Sequence, residues 1–144
     1  MIVAVLDTNT IVSAILEPRG VPNRVLEAAR AQQFTLATSS VIIAEVLTTL
    51  GRDRIRRKYH ISSADIARLR DLLEHETPCT LMSHEVHGVA THPEDDLILA
   101  TAISAGADYL VTGDAKLQRL GHYQKVAIVS PREFLDILQS QPIE

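Results

Sequence analysis

Four separate stretches of this chain each deliver a carboxylate where a carboxylate needs a reason. Asp7 stands directly behind the apolar run Ile2-Val3-Ala4-Val5-Leu6, and Asp114 follows Tyr109-Leu110-Val111-Thr112 with one glycine between. Glu45 sits inside Val41-Ile42-Ile43-Ala44-Glu45-Val46-Leu47, where a lone charge costs free energy unless something compensates it. Glu94, Asp95 and Asp96 crowd in front of Leu97-Ile98-Leu99-Ala100. Each has an ordinary explanation when taken alone: Asp7 as a helix N-cap, Gly113-Asp114 as a turn, and the acid triplet as a complement to a helix N-terminal dipole. Together they predict one site. Like charges about 4 Å apart repel by roughly 4 kcal/mol at an effective dielectric near 20, so such a cluster requires protons or cations. Oxygen donors favour Mg²⁺ or Mn²⁺ over zinc, and such an ion on carboxylates would activate water against a phosphodiester.

The elements that must position these acids alternate between strand and helix. Residues 2–6 form a short β-branched run ending at Asp7, as a buried parallel strand does. A helix over 8–16 is broken by Glu17-Pro18-Arg19-Gly20; Pro22 opens the next, with Val25, Leu26 and Ala29 on its apolar face. A strand over 34–37 leads through Thr38-Ser39-Ser40 into a helix that ends at Leu50, before Gly51. A short basic helix follows, and Ser62-x-x-Asp65 forms a capping box for a helix reaching about Glu76. A strand at 80–82, a loop at 84–91 and a helix over 92–105 capped by Thr91 and Glu94 come next. Gly106 closes that helix; strands at 109–112 and 126–129 and a helix from Pro131 to Leu138 capped by Ser130 complete the chain. The expectation is one α/β domain over 1–144 with a five-stranded, mostly parallel sheet and helices on both faces. In such sheets, sites form beyond the carboxyl ends of the strands, where Asp7 and Asp114 fall.

At 144 residues with 46% hydrophobic content, the sequence supports one sizeable core. It has no apolar run of transmembrane length and no leader-like N-terminus, which predicts a cytoplasmic protein. The formal charge of −4 argues against nucleic-acid binding by overall charge, yet Arg52, Arg54, Arg56, Arg57 and Lys58 form a local basic patch opposed only by Asp53. That patch is a candidate contact for RNA or a protein partner, and equally a solvated helix face. Cys79, the single cysteine, reads as a small buried residue. His84 and His87 lack the further ligands of a zinc site, and His92 reads as an exposed helix-start residue.

With these segments in order, the sequence resembles the PIN-domain family, specifically the VapC-like toxin ribonucleases of toxin–antitoxin systems. The resemblance spans nearly the whole chain. It rests on Val5-Leu6-Asp7-Thr8-Asn9, Glu45 within its helix, Asp95-Asp96-Leu97-Ile98-Leu99-Ala100-Thr101-Ala102, Ala107-Asp108-Tyr109-Leu110-Val111-Thr112-Gly113-Asp114, and Pro131-Arg132-Glu133-Phe134-Leu135. It implies a Mg²⁺- or Mn²⁺-dependent endoribonuclease, a homodimer, and a cognate antitoxin. The implied ligands are Asp7, Glu45, an acid of the Asp95/Asp96 pair, and Asp114, with Asn9 and Thr112 in support. Residue matching puts Asp95 at the usual third acid and makes Asp96 the neighbour. Two places depart from the family pattern: His92 stands where an acid is common, and Ala115-Lys116-Leu117 replaces an acid-containing continuation. For the dimer contact, the helix faces of 22–32 and 63–76 are the first candidates.

Competing functions are separable. A phosphatase with Asp7 as nucleophile needs an Asp-x-Asp-x-Thr loop, but Asn9 and Ile11 occupy the second and third key places. A receiver-like domain needs its acid pair after the first strand, not late in the chain. A catalytically silent PIN-like module that binds RNA or protein is disfavoured by the complete acid set. Within that set, consecutive helix residues project about 100° apart. Asp95 and Asp96 therefore cannot face one ion alike: Asp95 is expected at the metal, and Asp96 in a supporting or second-metal place.

Overall fold

The computed structural model describes residues 1–77, 86, 88–89 and 93–141. Its centre is a five-stranded sheet in the order β2-β1-β3-β5-β4, where β1 is Val3–Leu6, β2 Thr35–Ala37, β3 Tyr109–Val111, β4 His122–Tyr123 and β5 Val126–Val129. β1, β2, β3 and β5 run parallel, and β4 alone is antiparallel, on the edge beside β5. Ala4, Val5, Leu6, Leu110 and Val111 are all buried, without the alternation of a half-solvated sheet. That pattern belongs to a sheet covered on both faces.

The strand register places the site. Leu6 lies opposite Val111, and Val111 opposite Val129. One step further along, the Asp7 amide donates to the Val111 carbonyl at 3.1 Å and the Thr112 amide to the Val129 carbonyl at 3.0 Å. Asp7 and Thr112 therefore leave the sheet side by side. At the other end of the same strands, the Asp108 carboxylate accepts the Val3 amide at 2.9 Å and ties β1 to the entry of β3.

Helices α1 (Thr8–Leu16), α2 (Val21–Arg30) and α3 (Ser40–Leu50) follow as expected. α1 packs against α2 and α3, and α2 also against α8 (Pro131–Gln139), which Ser130 and Glu133 cap reciprocally. The Phe134 ring meets Phe34 edge-on at 4.9 Å and Tyr109 at 5.6 Å, joining α8 to the sheet. α4 (Asp53–Tyr59) buries no residue, while α5 (Ser63–Asp71) starts with the Ser62–Asp65 capping box and runs into a π-helical turn over Leu72–Glu76. α6 (Pro93–Ser104) ends in a Schellman motif: the Ala107 amide reaches the Ala102 carbonyl, the Gly106 amide reaches that of Ile103, and Gly106 takes φ +63°.

Several expectations change here. The sheet has five strands, but its fifth is β4, paired to β5 through a tight turn with Gln124 at φ 52°. The strand expected at 80–82 lies outside the described residues, as do Cys79, His84, His87, Thr91 and His92. α7 (Ala115–Leu120) was not expected. On α2, Val25, Leu26 and Ala28 are buried, and Ala29 packs half-buried against the same core. Val25, Leu26, Ala28, Leu69, Leu72 and Leu73 are buried in the chain's own core, while Ala29 and Ile66 pack against it half-buried.

Candidate active site

Asp7 caps α1: its Oδ1 accepts the Thr10 amide at 2.8 Å, and its Oδ2 accepts the Thr112 hydroxyl. The N-cap explanation and a place in the site therefore hold together. The side chain is buried, at 7% exposure. Burial pushes its pKa above the ordinary carboxylate value; the bonds from Thr10 and Thr112 pull it down, and the negative charge of Asp114 adds to the rise. The fully buried Thr112 hydroxyl also accepts the Asp114 amide at 3.0 Å, so one hydroxyl holds both strand-end acids in register. Asp114 caps α7 by accepting the Lys116 amide at 2.8 Å, and Gln118 of that helix donates to the Thr112 carbonyl at 2.7 Å.

Glu45 reaches the same place from α3. Its Oε2 accepts the Thr8 hydroxyl at 2.9 Å. The apolar run around Glu45 is not buried all round: Ile42, Ile43, Val46 and Leu50 face the core, while Ala44 and Thr48 are exposed and Glu45 is half-buried. A carboxylate there faces solvent in a groove, and its cost is smaller than the sequence suggests. Asp95, half-buried in the first turns of α6, lines that groove too.

Asp7, Glu45, Asp95 and Asp114 line one cleft of about 550 Å³ with Thr8, Asn9, Thr48, Thr49, Arg52 and Ile98 among the other walls. Asn9 is exposed at its surface. Asp96 points elsewhere. It is buried at 8% exposure, and its two oxygens accept the Gly88 amide at 3.0 Å and the Val89 amide at 3.2 Å. Of the basic patch, only Arg52 borders the cleft; Arg54, Arg57 and Lys58 are exposed on α4, and Arg56 donates to the Ser63 hydroxyl at 3.0 Å.

Among the described residues, no three His, Cys, Asp or Glu side chains converge closely enough to hold one ion by themselves. The donor chemistry nonetheless suits a hard divalent ion, because Mg²⁺ keeps several waters and needs only one or two carboxylates from the protein. No basic side chain forms an ion pair with Asp7, Glu45 or Asp114 among the described residues. The residues that sequence reasoning passed over are Thr8, Thr48 and Thr49. The signal for the last two is their spacing from Glu45, at i+3 and i+4 on one helix face.

The model of the PIN domain matches residues 3–116. The chain belongs to the PIN-domain family. The match includes all four cleft acids of this PIN domain. In solved structures the chain is similar to VapBC2 from Rickettsia felis, in a crystal structure bound to a DNA fragment from their promoter, with 22% identity, a TM-score of 0.55, and coverage of 90% of this chain and 98% of that one. It is similar also to FitAcB from Neisseria gonorrhoeae, with 19% identity, a TM-score of 0.53 and the same coverage. At these identities the likeness establishes the fold. No curated protein sequence matches the chain.

Proposed function

We propose that this PIN domain is a divalent-metal-dependent endoribonuclease, acting at the cleft between Asp7, Glu45, Asp95 and Asp114, and that it is the toxin of a toxin–antitoxin pair. One observation supports the catalytic half: four elements far apart in sequence bring carboxylates to a single groove beyond the strand ends, and among the described residues Asp7, Glu45 and Asp114 have no basic partner there. Bound there by these acids, Mg²⁺ or Mn²⁺ would supply an activated water and shield charge at the phosphorus. The chain's own groups do the positioning. Thr8 orients Glu45, Thr112 fixes Asp7 against Asp114, and Thr10 holds the second Asp7 oxygen. Asn9, which lines the cleft, would meet substrate. Arg54, Arg57 and Lys58, without carboxylate partners among the described residues, would draw in a polyanion.

The antitoxin half is supported by the resemblance to VapC-like toxins and by the likeness to VapBC2 and FitAcB. A homodimer in the cytoplasm is the assembly that this reading implies.

The decisive assay incubates the purified chain with labelled single-stranded RNA in Mg²⁺, in Mn²⁺ and in chelator. Cleavage is expected only with an ion and only with Asp7 intact, so Asp7→Asn abolishes it. A folded wild type that leaves RNA whole with either ion overturns the enzyme. If that protein still binds RNA, the silent binding module takes its place.

A further inference from the structure

We propose that Thr48, Thr49 and Arg52 form a phosphate-binding stripe that holds a backbone phosphate beside the one being cleaved, which makes the substrate a polynucleotide rather than a nucleotide or small phosphodiester. This rests on the ribonuclease reading above. Glu45, Thr48 and Thr49 stand at i, i+3 and i+4 on one face of α3, and Arg52 follows two residues past the helix end. All four line the cleft, and the buried residues of α3 lie on the opposite side.

Along that face the chemistry changes sign. It starts at the carboxylates, passes two hydroxyls, and ends at a guanidinium just beyond Gly51, where the chain leaves the helix with Arg52 at φ −67° and ψ 131°. Within α3, the five residue steps from Glu45 to the last helical residue, Leu50, span about 7.5 Å of axis at 1.5 Å per residue. No carboxylate lies within ion-pairing reach of Arg52 among the described residues. Among the described residues the guanidinium is therefore not engaged by a carboxylate and is open to an anion from outside. The Arg52 backbone amide is already committed to the Thr49 carbonyl at 3.3 Å, so recognition falls to side chains.

A guanidinium takes two phosphate oxygens at once, with geometry an ammonium does not reproduce. The threonine hydroxyls are donors of the kind that contact phosphate oxygens in nucleic-acid interfaces. A strand with one phosphate at the carboxylates and its neighbour on this stripe would then continue towards Arg54, Arg57 and Lys58 on α4. A simpler role for Arg52 is available, since a cation just past a helix C-terminus complements its dipole. That role would affect stability and not substrate.

The test compares wild type with Arg52→Gln and Arg52→Lys on two substrates, a labelled single-stranded oligoribonucleotide and bis(p-nitrophenyl) phosphate, which has no neighbouring phosphate. Expected for Arg52→Gln is a KM on the oligonucleotide raised about tenfold or more, with kcat within about twofold and hydrolysis of the small diester unchanged. Arg52→Lys should recover part of the loss. In an Asp114→Asn background that does not cleave, the dependence of oligonucleotide affinity on salt should lose about 0.7 from its log–log slope when Arg52 becomes Gln. Equal losses on both substrates, or an unchanged slope with unchanged KM, overturn the stripe while leaving the ribonuclease in place. If the wild type cleaves no RNA, the ribonuclease reading fails, and the slope still decides the stripe; no salt-dependent RNA binding at all overturns it.

Discussion

Thr112→Val replaces one oxygen by a methyl at a position with no solvent exposure, so it changes hydrogen bonding with almost no change in shape. Two bonds vanish. One is donated to the Asp7 carboxylate, the other is accepted from the Asp114 amide at 3.0 Å. A bond to a charged group contributes about 1.5–3 kcal/mol and a neutral one about 0.5–1.5, which together give a loss of roughly 2–4 kcal/mol. For a chain of this length about 3 °C of melting temperature accompanies each kcal/mol, so Tm should fall by about 6–12 °C. Thr112→Ser keeps the hydroxyl and gives up only a methyl, for about 1 kcal/mol or roughly 3 °C.

The pH dependence supplies a second signature. The Thr112 hydroxyl stabilises the charged form of Asp7, so the gap between wild type and Thr112→Val should be widest when Asp7 is ionised and should narrow as it protonates. Thermal melts by circular dichroism, in chelator, near pH 4 and near pH 8 read both effects. If Thr112→Val melts with or above Thr112→Ser, or if the gap ignores pH, the hydroxyl does not hold the two acids as described.

Asp7 itself gives the opposite sign. Its native pKa is raised by burial, so the folded protein binds its proton more tightly than the unfolded chain, and this group's contribution to stability declines as pH rises from the ordinary carboxylate range through the native value. Metal-free Asp7→Asn gives up one of the two accepted bonds at every pH but removes the titration, so its melting temperature relative to wild type should rise from acid to neutral pH; a difference that does not change with pH would contradict the burial argument. Asp96→Asn should lower Tm by about 6–9 °C, because an amide cannot accept both the Gly88 and Val89 N–H bonds, with a loss near 2–3 kcal/mol; hydrogen exchange should quicken at those two amides, and unchanged exchange would count against it. Thr38→Val removes a buried hydroxyl that has no hydrogen-bond partner among the described residues, so the variant should be as stable as wild type or better by about 1 kcal/mol in denaturant melts. A loss instead would mean that this oxygen has a partner.

Asp7 and Asp114 were legible in the sequence because a β-branched apolar run that stops at an acid marks the carboxyl end of a parallel strand, and such ends share an edge of the sheet. Glu45 was legible for an incomplete reason. Its neighbours are apolar, but the face it shares with Ala44 and Thr48 opens onto a groove, which only the packing of α3 reveals. The directions of Asp95 and Asp96 follow from helix geometry only in so far as they must differ; which of them turns to the cleft depends on the amides of Gly88 and Val89, a tertiary contact. β4 escaped notice because two residues, His122 and Tyr123, carry no periodicity, and its turn uses a glutamine rather than glycine at positive φ. α7 is six residues long and owes its start to the Asp114 cap. The antiparallel edge therefore could not be read from pattern, whereas the four parallel strands could.

The central claim is that the cleft carboxylates form a divalent-ion site. Calorimetric titration of Mn²⁺ into the wild type and into Asp7→Asn, Glu45→Gln, Asp95→Asn, Asp114→Asn and Asp96→Asn tests it most directly. Binding should weaken by about tenfold or more in each of the first four variants and stay near wild type in Asp96→Asn. Equal binding by all the cleft variants, or loss in Asp96→Asn with Asp95→Asn unaffected, would contradict the site as drawn.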